Sequence, residues 1–384
     1  MSFKKDYFYG KQSISWSDVW EVIKVLRSSF VTQGPKVLEF EKAICDYTGA
    51  KYAIVVSNGT AALHLSMLAL GISKEDEVIT STNTFLASAN CILYVGGNVV
   101  FADIDSKTAC IDSNEIEKKI TKKTKAIIPV HFAGQSCDME KIQKIEKKYN
   151  LFIVEDAAHA IGSDYKGNKV GCCRYSDMCI FSFFPTKNIT TGEGGAITTN
   201  NKELYERLLK LRSHGVTRDR NLLIKDEGPW YYEMQDLGFN YRMTDIQAAL
   251  GLSQLKKIEK FKKKRRELVV KYKKEFANDE RFSFLEEKKD SDALFHIFPL
   301  LINFEKIKLN KKQLFEELKT RGLYLQVHFI PVHLQPFYKK LGFKENDYPK
   351  AENYYKQTIS LPLYPTLKNK DITYITDTIK KIAI

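Results

Sequence analysis

Seven cysteines are scattered through the 384 residues without a single CxxC pair; only Cys172 and Cys173 are adjacent. An odd count without ligand spacing argues against a disulfide framework or a zinc site and fits reduced thiols, so the chain reads as cytoplasmic. No uninterrupted apolar run approaches membrane-spanning length, so no membrane association is expected. The opening MSFKKDYFYGK is polar and aromatic, and no secretory leader is expected from it. No GxGxxG follows a strand pattern, and GxxxxGK-Ser/Thr is absent, so neither a dinucleotide fold nor a P-loop has an anchor. Zinc-finger, RRM and KH signatures are missing too, as are internal repeats and low-complexity segments.

What is present suits a large soluble globular chain. Apolar residues make up 43% and charged residues 28%, ordinary values for that class. The length favours one large domain with a smaller one. The formal charge is +13. Such an excess suits nucleic acid or an anionic small substrate. Much of it lies in KKIEKFKKKRRELVVKYKK (256–274). There Leu255, Ile258, Leu268, Val269 and Tyr272 recur at roughly helical spacing, which reads as a helix with one buried stripe and a solvated basic face rather than a nucleic-acid surface.

Between residues 50 and 200, short β-branched runs alternate with helical stretches. AIVVS, EVITS, VVFADI, KAIIPVHF, LFIVEDA and AITTN read as strands, and TAALHLSMLAL (60–70) as a helix. That alternation predicts an α/β fold with a mostly parallel sheet covered on both faces. After about residue 245 the pattern changes. DIQAALGLSQLKKIEKF reads as one long helix. HIFPLLINF and LYLQVHFIPVH read as strands with a helix (KKQLFEELKTRG) between them, YPKAENYYKQTISL reads as a helix, and KDITYITDTIKKI closes the chain. The expected division is residues 1–250 as a large domain and 251–384 as a linker helix and a smaller α+β domain.

Four stretches carry chemistry. In SNGTAAL (57–63) a strand ends, a glycine allows a tight turn and a helix begins. The free N–H groups of that first turn, with the positive end of the helix dipole, can bind an anion; a plain helix cap is the alternative. In LFIVEDAAHAIG (151–162) the strand ends in Glu155-Asp156, where an aspartate either holds a proton on a ring nitrogen or caps the next helix. In TNTFLASAN (82–90), Phe85 either stacks on a planar ring or is core. In FSFFPTKNITTGEGGAITT (181–199), Lys187 lies between Phe183-Phe184, which look buried, and the turn of Gly192, Gly194 and Gly195. It is either a surface lysine or an amine desolvated enough to act as a nucleophile, with Ser182 near a phosphate. A phosphate cradle, a stacking aromatic, an aspartate at a strand end and a lysine before a glycine turn are together the parts pyridoxal phosphate (PLP) requires.

At this point the chain resembles the nucleotide-sugar aminotransferases of the DegT/DnrJ type, PLP enzymes of fold type I (aspartate-aminotransferase-like). The resemblance runs nearly end to end. It is carried by FVTQGPKVLEFEKAI (30–44), SNGTAALH (57–64), NTFLAS (83–88), EDAAHAIG (155–162), FSFFPTKNITTGEGGA (181–196), RSHG (212–215), GFNYRMTDIQAALG (238–251) and VHFIPVH (327–333). It implies that Lys187 forms the aldimine with PLP, becoming free when the cofactor is pyridoxamine phosphate. Asp156 would pair with the pyridine nitrogen and Phe85 would stack on the ring. Gly59, Thr60 and Ser182 would hold the phosphate, with His159 or Gln135 near the ring hydroxyl. Asn240 or Arg242 would reach the partner's site in a homodimer. Some relatives carry histidine in place of the lysine and act as dehydratases; Lys187 implies transamination.

Within the family, GPWYYEMQDLGFNYRMTDIQAALGLSQLKK (228–257) looks most like the transaminases of pseudaminic acid synthesis. The implied substrate is a UDP-linked 2-acetamido-4-keto-6-deoxy sugar aminated at C4, with glutamate as donor and 2-oxoglutarate as its product. Tyr9, Thr32, Gln33, Gly34, His328 and Phe329 would line the sugar-nucleotide cleft. The alternative is C4 amination of the D-configured keto sugar on the bacillosamine or legionaminic acid route.

Overall fold

The computed structural model describes residues 5–384; the first four residues of the opening stretch lie outside it. Seven strands form the main sheet: β1 (Tyr52–Val56), β2 (Glu77–Ser81), β3 (Asn98–Ala102), β4 (Thr124–Ile128), β5 (Phe152–Asp156), β6 (Met178–Ser182) and β7 (Gly195–Thr199). Their order across the sheet is β1-β7-β6-β5-β4-β2-β3. Only β7 runs against its neighbours, β1 and β6; the other pairings are parallel. The strands are near-continuous apolar runs because both faces are covered, as a parallel sheet requires. Apolar clusters pack on the two faces, one including Ile54, Leu65 and Ile180, another Val55, Phe181 and Phe183.

Helix α1 (Gly59–Ala69) follows β1 and is buried almost all round, which its unbroken AALHLSMLA sequence permits. Helix α2 (Ala87–Tyr94) follows β2 in the same way. The stretch 245–261, expected as one long helix, is interrupted: α3 (Asp245–Leu255) ends inside it, and α4 (Ile258–Phe276) begins there and runs on through the basic stretch. No proline or glycine marks the break at Lys256-Lys257. The stripe of Leu255, Ile258, Leu268, Val269 and Tyr272 is buried as its spacing implies. The basic face is not wholly solvated, however. Arg265 is 1% exposed and donates to the carbonyls of Phe295, His296 and Leu363.

Beyond α4, β8 (Phe282–Phe284), β9 (Phe298–Ile302) and β10 (Thr358–Leu361) form an antiparallel sheet in that order with β9 central. TISL is therefore a strand and not the end of a helix, which stops at Gln357. The expected strand at 323–333 is reduced to Leu323–Tyr324, paired with Tyr7–Phe8. The remainder is irregular. Pro331 has no N–H to give a ladder, Phe329 N donates to the Asn83 side chain and Val332 N to the Thr82 carbonyl. These single bonds replace a strand partner and hold residues 326–330 against the main sheet. Among the described residues no helix is long and apolar enough to cross a membrane.

Candidate active site

The carboxyl ends of β1, β2, β4, β5 and β6 open on one cavity of about 1060 Å³, closed on its far side by residues 326–330. This is the edge where open parallel sheets bind ligands. Gly195 opens β7 at the same edge. A Cβ there would lie 2.6 Å from the Asn58 carbonyl carbon and oxygen, so only glycine lets β7 pass under the turn into α1. Gly192, at φ +78°, makes the turn before it.

The Asn58 side chain caps α1, accepting from Ala61 N at 2.8 Å. The cap and the anion site are thus compatible: the N–H groups of Gly59 and Thr60 have no intrahelical partner and stand at the cavity wall. A Cβ on Gly59 would lie 3.0 Å from Ser182 Cβ, so turn and strand end form a close cradle.

Asp156 closes β5. No helix follows it, which removes the helix-cap alternative. Its Oδ1 accepts from Ala158 N at 3.1 Å and its Oδ2 from Ser88 Oγ at 2.6 Å. Thr84 and Ser88 hydroxyls are 2.7 Å apart. With its own proton given to Asp156, Ser88 accepts from Thr84. All three side chains are buried.

Lys187 follows β6 and lines the same cavity. Among the described residues its Nζ has neither an acidic partner nor a hydrogen bond, and enclosure lowers its ammonium from near 10.5 to about 8. The nearby Asp156 carboxylate opposes that shift without reversing it. Asn188 fixes the backbone here: its Nδ2 faces the carbonyls of His159, Ile161 and Leu294 at 3.0, 3.1 and 3.4 Å. Phe183 is fully buried as expected, but Phe184 is half-exposed at the cavity rim.

Phe85, 58% exposed, also lines the cavity and so is not core. His159, Tyr9, His328 and Phe329 line it too. His328 Nδ1 lies 2.8 Å from Ser360 Oγ, and burial, with Lys187 nearby, lowers its imidazolium to about 3. Burial, Lys187 and His328 push His159 well below its ordinary value, so it is neutral at pH 7.

Gln135 is elsewhere. Its amide donates to the Glu286 carbonyl and accepts from Lys288 N, bracing a loop outside the cavity. Thr32, Gln33 and Gly34 also fall outside it. Thr32 bridges Thr244, and Gly34 N donates to Asp245 Oδ1 at 2.8 Å. Asn240 bridges Ser213 and Arg242 bridges Val56, while Tyr241 between them lines the cavity. Neither Asn240 nor Arg242 lines this chain's own cavity.

Sequence reasoning missed Ser88 and His296. Ser88 stands four residues after Thr84 at a helix start, a spacing that puts two hydroxyls together. His296 lines the cavity beside His159, ring centroids 4.3 Å apart, but in sequence it was hidden in an apolar strand.

The chain is similar over nearly its whole length to known proteins. The family described as "DegT/DnrJ/EryC1/StrS aminotransferase family" matches residues 13–380. A Campylobacter jejuni protein named UDP-4-amino-4,6-dideoxy-N-acetyl-beta-L-altrosamine transaminase is 41% identical over 97% of this chain and 96% of its own. The Bacillus subtilis spore coat polysaccharide biosynthesis protein SpsC is 40% identical over 99% of this chain and 98% of its own. The structure of Helicobacter pylori PseC, an aminotransferase of pseudaminic acid biosynthesis, superimposes with a TM-score of 0.91 at 36% identity, covering 99% of both chains.

Proposed function

Because this chain belongs to the DegT/DnrJ/EryC1/StrS aminotransferase family, a family of PLP-dependent sugar aminotransferases, we propose that it aminates C4 of a UDP-linked 2-acetamido-4-keto-6-deoxy sugar with nitrogen from glutamate. The product would be UDP-4-amino-4,6-dideoxy-N-acetyl-β-L-altrosamine. The observation that carries the reading is the unpartnered Lys187 amine in one cavity with Asp156 and the Asn58–Thr60 turn. The likeness to the C. jejuni transaminase and to PseC supports the choice of sugar.

The cavity fits the cofactor: it has a cradle of unpaired helix N–H groups that admits no Cβ at Gly195, an acid at the end of β5 on the same sheet edge and a desolvated amine. When bound, PLP supplies an electron sink for bond breaking at the carbon next to nitrogen. Gly59, Thr60 and Ser182 would hold its phosphate, Asp156 its ring nitrogen, Phe85 one ring face, and His159 its ring hydroxyl. Lys187 Nζ would hold the cofactor and, as the free amine of the cavity, would accept a proton from the donor's Cα and deliver one to the sugar's C4. The low ammonium value leaves part of the amine neutral near pH 8, as a proton acceptor must be. Tyr9, His328 and Phe329 would line the sugar side. Asn240 or Arg242 would serve the second subunit of a homodimer.

The test is spectral. Glutamate should bleach the yellow holoenzyme, and the L-configured keto sugar, but not the D-configured one, should restore the colour. Restoration by the D sugar alone would move the function to the bacillosamine or legionaminic acid type. Lys187→Ala should bind cofactor without either change.

A further inference from the structure

Two substrates of unlike charge must use the cavity just described: a dicarboxylate amino donor and a sugar that is uncharged at the reacting end. Among the described residues lining it there is no arginine, and the single lysine is the reacting Lys187. Asp156 and Glu193 add negative charge to the wall. No fixed cation is therefore left to meet the donor's carboxylate in this chain.

His296 is placed to do so. It is 3% exposed, and its backbone is held on both sides: the main-chain N–H donates to the Ala133 carbonyl, and the main-chain carbonyl accepts from the buried Arg265. Its ring lies 4.3 Å from that of His159. The Nδ1 atoms of both rings are enclosed and have no hydrogen-bond partner among the described residues. A proton on either would be a buried donor without an acceptor, so we assign the proton of each neutral ring to Nε2. Burial, His159, Lys187 and Arg265 all hold His296 neutral.

We propose that His296 is a substrate-contacting residue whose neutral Nε2–H donates to the carboxylate of the amino donor. The inference rests on glutamate being the donor. A neutral N–H suits a site used twice. It can bond a carboxylate in one half-reaction and a sugar oxygen or water in the other. An arginine would remain as an unpaired buried cation whenever the sugar was bound.

The test is binding of 2-oxoglutarate to the holoenzyme with cofactor on Lys187, a form with which this keto acid does not react, measured by calorimetry. Glutamate-dependent bleaching and sugar-dependent recovery are followed separately. His296→Phe should weaken 2-oxoglutarate and raise the half-saturating glutamate concentration by roughly tenfold or more, the scale of one hydrogen bond to a charged group. The keto-sugar half-reaction should change far less. His296→Asn, which keeps an N–H donor, should recover part of the loss. Unchanged dicarboxylate binding in His296→Phe, or equal weakening of both substrates, overturns the proposal. If the wild-type enzyme is not bleached by glutamate but is by another amine donor, the donor reading fails first, and the carboxylate role with it.

Discussion

Ser88 Oγ donates to Asp156 Oδ2 across 2.6 Å, joining the first turn of α2 to the end of β5, 68 positions apart in the chain. With Ala158 N on Oδ1, that bond fixes the plane of the carboxylate. Ser88→Ala should leave the acid in place but free to rotate. A hydrogen bond to a charged group contributes about 1.5–3 kcal/mol, and roughly every 1.4 kcal/mol is tenfold in affinity. The cofactor dissociation constant should therefore rise roughly tenfold or more, while Ser88→Thr, which keeps the hydroxyl, should lose less. Equilibrium dialysis against PLP decides it.

Lys187 sets a pH dependence. Its folded-state ammonium is lowered from near 10.5 to about 8. Capture of PLP by the cofactor-free chain should therefore speed up as pH rises toward 8 and level off above it. The sign for stability follows. Between about 8 and 10.5 the unfolded chain holds a proton that the folded one has lost. This lysine then makes the cofactor-free fold more stable as pH rises through that window. Lys187→Met should remove that increment, as read from urea midpoints across pH.

Gly195→Ala should act on the cradle and not on the chemistry. Its Cβ would stand 2.6 Å from the Asn58 carbonyl group and 2.8 Å from Gly59 N, so the turn must shift. Overpacking of this kind costs about 1–3 kcal/mol. Cofactor affinity and thermal midpoint should both fall, and the bleaching rate at saturating cofactor should fall less.

Two ion pairs on one helix should behave in opposite ways. Glu41 Oε1 accepts from Arg212 Nη1 at 2.5 Å and from Val55 N at 3.0 Å, with both side chains largely buried. Glu41→Leu leaves a buried guanidinium unpaired and should cost about 3–5 kcal/mol. Lys42→Ala breaks an exposed pair with Asp46 and should cost about 0.5 kcal/mol or less. Urea unfolding of the two variants makes the comparison.

The sheet was legible in the sequence because its strands are buried on both faces and bounded by turn residues. EVITS coincides with Glu77–Ser81, and AITTN lies one residue from Gly195–Thr199. The stretch 323–333 was misread for a physical reason. Its alternation looks like a strand, but residues 326–330 all line the cavity, and Asn83 and Thr82 take backbone bonds that a strand partner would otherwise take. The 57–63 turn and Asp156 could be found because each stands at the end of an apolar strand, and Lys187 because it lies between such a strand and a glycine turn. Gln135 could not be ruled out, since nothing in HFAGQ announces the loop at 286–288 that takes its amide. His296 was invisible because its partner, His159, is 137 positions away, and only the fold brings the rings together.

Asn188 adds a mechanical consequence. The residue beside the reactive lysine is tied to carbonyls at 159, 161 and 294, so one amide links the lysine, the histidine wall and the segment leading into β9. The cavity is braced like a tripod where bonds change hands. The rim residues Phe85, Phe184 and Ile330 are by contrast about half exposed. The amine is thus held from the buried side of the cavity, by an amide that does no chemistry itself.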